Sequence, residues 1–294
     1  MRYLEIKASF GINAPVEVER DLSSTLRGVW GRALRGIHCR QKQLECAECG
    51  FSNCAYFVLF EKKYSLAEQY HPYIIQSRFT DTGKIEARFK FFGWPCEHSG
   101  SLLNSVISVG GRQISLLGKR YILELVEIRD AADNILFKPE STTVRRPSVR
   151  ELEYSPQACP GLVLTFITPL RQKQRGRLMN DFEWEPFAKS LIQRVRFIDQ
   201  HFNREELKIA DNIDISLASP PVCRTRWSEK LRVSFRQDSR MSIGGLLGRV
   251  KLMGVSPEMV GVLKLGRWLH AGKQCTFGNG EINLQKICQA GESE

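Results

Sequence analysis

The sequence predicts an α+β protein of two tandem ferredoxin-like, or RRM-like, domains, the first of which carries a Cys-rich insertion. Each half of the chain repeats the order β-α-β-β-α-β, a proline-rich segment separates the halves, and four cysteines cluster after the first predicted helix. The expected boundaries are 1–138 for the first domain, 139–160 for the linker and 161–294 for the second domain.

In the first half, apolar and polar residues alternate over residues 3–10, which predicts the first strand. Apolar residues then recur at helical spacing up to residue 38, after several N-cap candidates that begin at residue 21. Further strands are expected at 55–60, 85–91 and 121–128, and a short helix at 101–107. The Cys-rich insertion, residues 39–54, follows the first helix.

Residues 138–160 hold four prolines and little periodicity, which indicates a linker. Beyond it we expect a strand at 162–167, a long helix along 187–202, strands at 231–236 and 243–253, a helix that starts at Ser256, and a last strand at 275–284. Ser256 is typical of an N-cap and Pro257 of a first helical turn, so the start of that helix is well marked.

Charge and composition limit the class of protein. Hydrophobic residues make up 42% of the chain, an ordinary globular value that excludes global disorder. The start lacks the pattern of a signal peptide and no stretch is apolar enough to cross a membrane, so a cytoplasmic protein without a membrane partner is expected. Lys and Arg number 43 against 32 Asp and Glu, a net charge of +11 that favours a nucleic-acid partner over generic solubility charge.

The cysteines indicate a reducing compartment, because their odd number, nine, argues against a disulfide framework. Four of them share the spacing C-x6-C-x2-C-x4-C, which resembles a compact zinc knuckle: Cys39, Cys46, Cys49 and Cys54. Thiolates hold zinc tetrahedrally, so a structural Zn²⁺ is predicted. The alternatives are a loop of reduced thiols without metal, and a site in which His38 substitutes as a ligand.

A glycine-rich stretch at 270–281 joins the last predicted helix to the last strand. It is not a P-loop, because Gln274 stands where a magnesium-binding Ser or Thr belongs, and the helix precedes the glycines, unlike in a dinucleotide site. The motif alone favours a tight turn with positive φ. The alternative is a loop whose backbone N–H groups contact a phosphate. The candidate RNA contacts of this region are Arg267, Gly272, Lys273, Gly278 and Gly280.

Two basic runs in the second half are expected to bind RNA. The first consists of Arg171, Lys173, Arg175 and Arg177, and the second of Arg224, Arg226, Lys230, Arg232, Arg236 and Arg240. In the predicted strand 231–236, Arg232 and Arg236 share one face and suit a phosphate backbone. A solvated surface is the alternative for each run.

Three segments carry a family resemblance: the helix 26–35 that leads into the cysteine cluster, the strand 242–248, and the glycine-rich segment 270–280. Together they resemble the CRISPR precursor-RNA processing endoribonucleases of the RAMP superfamily. The resemblance implies metal-independent cleavage of CRISPR repeat RNA by the ribose 2′-hydroxyl, which leaves a 2′,3′-cyclic phosphate and generates guide RNAs. It also implies repeat RNA, the guide-RNA product and further subunits of an effector complex as partners.

Such cleavage needs a base for the 2′-hydroxyl, an acid for the leaving oxygen and cations for the phosphate. Arg27, Arg35 and His38 share the polar side of the first helix, and the resemblance implies a catalytic histidine at its end. The family often places a tyrosine on this helix, whereas Trp30 is the only ring here. His270, at the end of the last helix, is the second catalytic candidate, and for either histidine a helix C-terminal cap is the alternative.

The other histidines, His71, His98 and His201, have no supporting neighbours in the sequence and are expected on the surface or in loops. Two further function classes stay open. Because the helix tyrosine is missing, a RAMP-type RNA-binding subunit that holds RNA without cutting it stays an alternative. The cysteine cluster also suits a zinc-containing RNA-binding protein outside CRISPR systems.

Overall fold

A computed structural model describes the chain over the following residues: 1–12, 21–39, 41, 43–46, 48–51, 54–62, 70–80, 83–116, 119–229, 231–234, 239–242 and 244–287. The prediction of an α+β protein is confirmed, because the chain contains both helices and strands and, where the structure describes a strand register, the pair is antiparallel. The chain divides into two compact units. The first unit is Met1–Glu151, His201–Arg204 and Arg232–Met241, and the second is Leu152–Gln200, Glu205–Leu231 and Ser242–Glu294.

The first unit is built around a sheet whose central strand is the N-terminal one. Its elements are β1 (Arg2–Gly11), α1 (Ser23–His38), a π-helical turn (Phe57–Glu61), β2 (Tyr73–Phe79), β3 (Lys84–Phe92), a 3₁₀ turn (Trp94–His98), α2 (Ser99–Ile107), β4 (Gln113–Leu116), β5 (Lys119–Ile122), β6 (Glu124–Asp130), β7 (Ile135–Phe137) and β8 (Arg150–Glu151). The strand order is β2-β3-β1-β6-β7, with β8 beside β1, while β4 and β5 form a separate hairpin.

The core of the first unit follows from the alternation in β1. Leu4, Ile6 and Phe10 are fully buried on one face of the strand, together with Trp30 of α1. Burial of each such side chain contributes about 1.5–3 kcal/mol to folding. Trp30 Nε1 also donates a 2.8 Å hydrogen bond to Ser105 Oγ, which joins α1 to α2.

The second unit has a four-stranded sheet and two long helices. Its elements are β9 (Gly161–Leu170), β10 (Lys173–Gln174), β11 (Arg177–Leu178), α3 (Trp184–Phe202), β12 (Val222–Ser228), β15 (Gly245–Met253), α4 (Pro257–Leu269), a 3₁₀ turn (Cys275–Phe277) and β16 (Ile282–Ile287). Two short strands follow β12 in the chain, β13 (Leu231–Ser234) and β14 (Ser239–Ser242), and most of their residues belong to the first unit. The sheet order is β12-β15-β9-β16, and the pairs β10-β11 and β13-β14 form separate hairpins. Phe166 of β9 packs on Phe187 of α3, so the helices cover that face of the sheet.

The predicted start of the last helix is confirmed. Ser256 Oγ accepts a 3.2 Å hydrogen bond from the Met259 backbone N–H, and Pro257 is the first helical residue. Such an N-cap contributes about 1 kcal/mol. No helix within the described residues is long and apolar enough to cross a membrane.

The predicted strand at 55–60 is wrong: this segment is helical and ends in the π-helical turn. Its apolar, aromatic composition is typical of a strand, but its side chains pack on α1 instead. Gly31 makes room for them, since a Cβ there would lie 2.9 Å from Phe60 Cε1. The Phe60 ring lies 5.1 Å from that of Trp30.

The edge strand of the second sheet also differs from the prediction. The strand predicted at 231–236 is present over Leu231–Ser234 as β13, but no strand was predicted at 222–228. This unpredicted strand, β12, is the one that pairs with β15, from Val222–Lys251 to Ser228–Gly245. β13 folds back on β14 as a hairpin instead. The longer β12 offers more ladder hydrogen bonds than the four-residue β13, which explains why it occupies the sheet edge.

Candidate functional site

A cavity of about 430 Å³ lies at the C-terminal end of α1. Its lining includes two histidines, four cysteines, a tyrosine and a serine: His38, His98, Cys39, Cys46, Cys49, Cys54, Tyr56 and Ser101. Helix α1 delivers His38 as its last residue, and the chain turns at Cys39 into extended backbone. The cavity therefore gathers residues of α1, of the Cys-rich segment and of the start of α2.

Two imidazoles meet in this cavity. The ring centroids of His38 and His98 are 5.9 Å apart and the rings stand edge to face at 86°. His98 ends the 3₁₀ turn before α2, and Trp94 of the same turn packs against its ring at 5.6 Å. His98 was expected to be an ordinary surface or loop histidine, and no local pattern around it signals the contact, because the fold alone brings it to α1.

The His38 ring is half-buried. Its Nε2 atom is buried and has no hydrogen-bond partner among the described residues. Burial, and then the positive charge that His98 can carry, lower the pKa of His38. The neutral ring is thus favoured, and a neutral imidazole keeps one nitrogen as an acceptor.

The two arginines predicted on the polar side of α1 have different surroundings. Arg27 Nε donates a 2.6 Å hydrogen bond to Tyr73 Oη, and its guanidinium lies 5.0 Å from the Phe60 ring centroid. These contacts bind Arg27 into the packing of the unit. Arg35 instead lies 5.7 Å over the ring of Tyr56, which lines the cavity. Of the two arginines, Arg35 is therefore the one that contacts a residue of the cavity lining.

The four predicted zinc ligands line one cavity as free thiols. Burial and the carboxylate of Glu61 raise the pKa of Cys46, while Arg35 lowers it. Their chemistry fits Zn²⁺, because thiolates are the ligands that structural zinc sites prefer. Among the residues that the structure describes, no three His, Cys, Asp or Glu side chains are already arranged to hold a metal ion.

His270, the second catalytic candidate, has a structural place. Its side chain is 0% exposed and its Nδ1 lies 3.0 Å from the backbone oxygen of Asn279. It follows α4 with a φ of 60°, so it shapes the turn that leaves the helix. A fully buried ring does not reach a phosphate, and the expectation that His270 acts in catalysis does not agree with this position.

The glycine-rich stretch is a tight, internally bonded turn. Gly272, Gly278 and Gly280 all have positive φ, at 80°, 82° and 72°. Backbone N–H groups of the turn are already used: Ala271 donates to Gly280, Lys273 to Arg171, Gly278 to Cys275 and Gly280 to Pro169. These four amides have no hydrogen left for a phosphate, and the positive φ angles account for the glycines by backbone conformation.

The cations of the first basic run lie on a small hairpin. Lys173, Arg175 and Arg177 are exposed on β10, its turn and β11. Arg171 is half-buried and donates a 3.0 Å hydrogen bond from Nη1 to the Gly244 backbone oxygen. The hairpin therefore presents three cations to solvent, and Arg171 anchors its base.

The second basic run is only partly described. Arg224 and Arg226 are exposed on β12. Lys230 and Arg236 lie outside the described residues, as do the side chains of Arg232 and Arg240 on β13 and β14. Near the glycine-rich turn, Arg267 is exposed and Lys273 is half-buried.

Family profiles match both halves of the chain. The sequence profile of an N-terminal domain, AF_1859_N, matches residues 1–149. The profile described as CRISPR-associated endoribonuclease Cas6 matches residues 164–282. No curated protein matches the chain.

Solved structures share the fold at low sequence identity. A Cas6 product complex aligns with a TM-score of 0.59 and 11% identity, over 96% of this chain and 100% of that one. A RAMP protein binding different RNA substrates gives 0.53 and 9%, over 96% and 100%. A partial Cas6-RT-Cas1–Cas2 complex gives 0.50 and 12%, over 98% of this chain and 46% of that one.

The profile matches identify the family, and the structural matches agree with it in fold. The first profile spans more than half of the 294 residues, and the second covers the sheet and helices of the second unit. The chain therefore belongs to the AF_1859_N N-terminal-domain family, and its second half matches the profile of the CRISPR-associated endoribonuclease Cas6.

Proposed function

We propose that this protein is a metal-independent endoribonuclease that cuts CRISPR repeat precursor RNA and so generates guide RNAs. The observation that carries the proposal is the meeting of His38 and His98 in one cavity at the end of α1. Paired imidazoles can supply both the base and the acid of RNA cleavage near neutral pH. The Cas6 profile in the second half supports the same activity.

In the proposed reaction the neutral ring of His38 takes the proton of a ribose 2′-hydroxyl. The resulting oxygen attacks the adjacent phosphorus, and the bond from phosphorus to the 5′-oxygen breaks. His98, in its protonated form, gives a proton to the departing 5′-oxygen. The products are a 2′,3′-cyclic phosphate and a 5′-hydroxyl. One P–O bond forms as another breaks, and His38 gains the proton that it takes while His98 loses one, so neither a metal nor a water molecule is needed.

Arg35 is the proposed source of positive charge for the phosphate oxygens. It stacks over Tyr56 at the wall of the cavity, where a cation stabilises charge that grows in the transition state. Arg27 is bound to Tyr73 and Phe60. We therefore assign Arg27 to positioning of α1 and not to contact with the phosphate.

We also infer that each unit is a ferredoxin-like domain. In the first unit the strands that flank the two helices lie in the order β2-β3-β1-β6, and in the second unit in the order β12-β15-β9-β16. Numbered along the chain, both orders read 2-3-1-4, which is the arrangement of a β-α-β-β-α-β domain. The Cys-rich segment is an insertion between α1 and β2 of the first domain.

For the cysteines we propose a structural zinc site. Cys39, Cys46, Cys49 and Cys54 would hold the ion and close the segment over the end of α1, whereas the cut itself would use no metal. A zinc ion bound there would join the four cysteines and so cross-link the Cys-rich segment. The histidines remain available because four thiolates complete a tetrahedral site.

Repeat RNA and its guide-RNA product are the proposed partners, together with further subunits of an RNA-guided complex. One similar structure is a Cas6 product complex, another is a RAMP protein binding RNA substrates, and a third belongs to a Cas6-RT-Cas1–Cas2 complex. The exposed cations are the proposed RNA contacts: Lys173, Arg175, Arg177, Arg224, Arg226 and Arg267.

The test is incubation of purified protein with its cognate repeat RNA in EDTA, followed by analysis of the RNA ends. We expect one cut that leaves a 2′,3′-cyclic phosphate and is lost in His38→Ala. His201→Ala, which removes an exposed histidine near the end of α3, is the matched control and should cut normally. Tight binding of the repeat without any cut would instead establish the non-catalytic RNA-binding subunit.

A further inference from the structure

The second sheet has an open face opposite its helices. Side chains of a strand alternate between the two faces, and the buried Leu164, Phe166 and Val250 mark the face that the helices cover. The outward positions are Val163, Thr165 and Ile167 of β9, Val222, Arg224, Arg226 and Ser228 of β12, Leu247, Arg249 and Lys251 of β15, and Asn283, Gln285 and Ile287 of β16. This set, the open sheet face, contains four cations and no carboxylate.

The four cations form a compact group. Arg224 lies directly opposite Arg249 in the β12–β15 register. Arg226 follows Arg224 by two positions along β12, and Lys251 follows Arg249 by two along β15, so all four share one face. Each of the four side chains is exposed.

The pair Arg224 and Arg249 has no acidic partner among the described outward positions of this sheet, so its like charges oppose folding. Side chains directly opposite in an antiparallel pair have Cβ atoms about 4.5–5.5 Å apart, and like charges there are destabilising. No outward neighbour on β9 or β16 is acidic: Thr165 and Asn283 continue the row that begins with Arg224 and Arg249. A bound polyanion would neutralise this repulsion, whereas solvent only screens it.

We propose that the open sheet face binds the phosphate backbone of single-stranded RNA, with Arg224, Arg226, Arg249 and Lys251 as the contacts. The proposal rests on the proposed function in one respect only, namely that the polyanion bound by this protein is RNA. It adds Arg249 and Lys251, whose place beside Arg224 becomes visible through the register of β12 and β15.

The chemistry of the face favours an unpaired strand. Ile167 and Val222 are 52% and 57% exposed on it and offer apolar contact to base faces, which a duplex would hide within its stack. The outward positions include no aromatic ring, so the face lacks the stacking platforms that bind bases strongly. Contacts to phosphate dominate, and binding should depend little on sequence.

The experiment measures binding of a fluorescent 2′-O-methyl oligouridylate of about twelve nucleotides, a length within the usual range of single-strand sites. This probe is not cut through a 2′-hydroxyl. In Arg249→Ala/Lys251→Ala we expect roughly tenfold lower affinity near 0.1 M salt, and a log–log salt dependence shallower by about 1.4, since each phosphate contact on a single strand contributes about 0.7.

The matched control is Lys189→Ala/Lys286→Ala. It also removes two exposed cations of the second unit, but neither of them belongs to the open sheet face. Lys189 lies on α3, and Lys286 of β16 lies opposite the buried Leu162, on the other face of the sheet. The control should bind almost as the wild type does. Equal losses in both double variants, or an unchanged salt dependence in the first, would overturn the proposal.

The outcome is separable from the proposed endonuclease activity. Binding of the oligouridylate, which carries no free 2′-hydroxyl, is measured apart from cleavage of repeat RNA by the wild type, whose proposed histidine pair lies on the first unit. If the wild type binds the oligouridylate as expected but cuts no repeat RNA, the nuclease proposal fails and the sheet-face proposal stands.

Discussion

The rings of His38 and His98 stand edge to face with their centroids 5.9 Å apart. One residue ends α1 and the other lies just before α2, so the contact depends on how these two helices pack. The hydrogen bond from Trp30 to Ser105 joins the same two helices within the core. Core packing and the candidate site are thus linked through α1 and α2.

The first prediction concerns this pair. We expect His38→Ala and His98→Ala each to slow single-turnover cleavage of repeat RNA by about 10²–10⁴-fold, the usual contribution of one general acid or base. Affinity for the RNA should change little. Because the two rings act in one step, the double variant should be only slightly slower than the slower single variant.

Two results would contradict that assignment. If His98→Ala cut at the wild-type rate, the acid would have to be another group in the cavity. If the double variant lost the full product of the two single losses, the histidines would act independently and not as a pair.

The sequence predicts the strand and helix order well because that order follows from alternation and helical periodicity. β1 and α4 are examples, since an apolar alternation marks one and the pair Ser256 and Pro257 marks the other. The segment 55–60 misleads because its composition suits a strand, while Gly31 on α1 lets Phe60 pack there as a helical turn.

The candidate site is only half predictable. His38 can be found from its place at the end of an amphipathic helix with two arginines on its polar side. His98 has no such context, and its role depends on a contact between α1 and the turn before α2. His270 is the opposite case, because its position after a helix suggests an accessible ring whereas the structure buries it.

The second prediction concerns zinc. We expect the purified wild type to contain about one Zn²⁺ per chain, measured by elemental analysis, as for a four-thiolate structural site. Cys46→Ser and Cys49→Ser should each abolish this zinc and lower the stability of the first unit. Cys223→Ser changes an exposed thiol on β12 and should retain the metal. Wild-type protein free of zinc after purification without chelators would contradict the site.

The third prediction concerns the turn that holds His270. Gly280 and Gly176 both have positive φ, at 72° and 80°. A Cβ on Gly280 would lie 1.8 Å from the Ala271 backbone oxygen, whereas a Cβ on Gly176 meets nothing within 4 Å. Gly176→Ala should therefore cost about 1–2 kcal/mol, the strain of the left-handed conformation alone.

Gly280→Ala adds a backbone collision to that strain. It should cost more than about 4 kcal/mol, in the range that marks a disrupted structural feature. The free energies of unfolding can be compared by urea denaturation of the two variants. Similar losses in both would show that the turn relaxes easily around Gly280.

The last prediction isolates the charge of Arg175 from its backbone role. Arg175 and Gly176 both have positive φ between the paired strands β10 and β11, as in a type I′ hairpin turn. Asn is favoured in that conformation, so Arg175→Asn should keep the hairpin and remove only the cation. We expect an unchanged free energy of unfolding, weaker binding of repeat RNA, and a log–log salt dependence shallower by about 0.7–0.9, the value of one phosphate contact. Arg175→Lys keeps the charge and should bind nearly as the wild type does, whereas equal binding by all three proteins would place the hairpin away from the RNA.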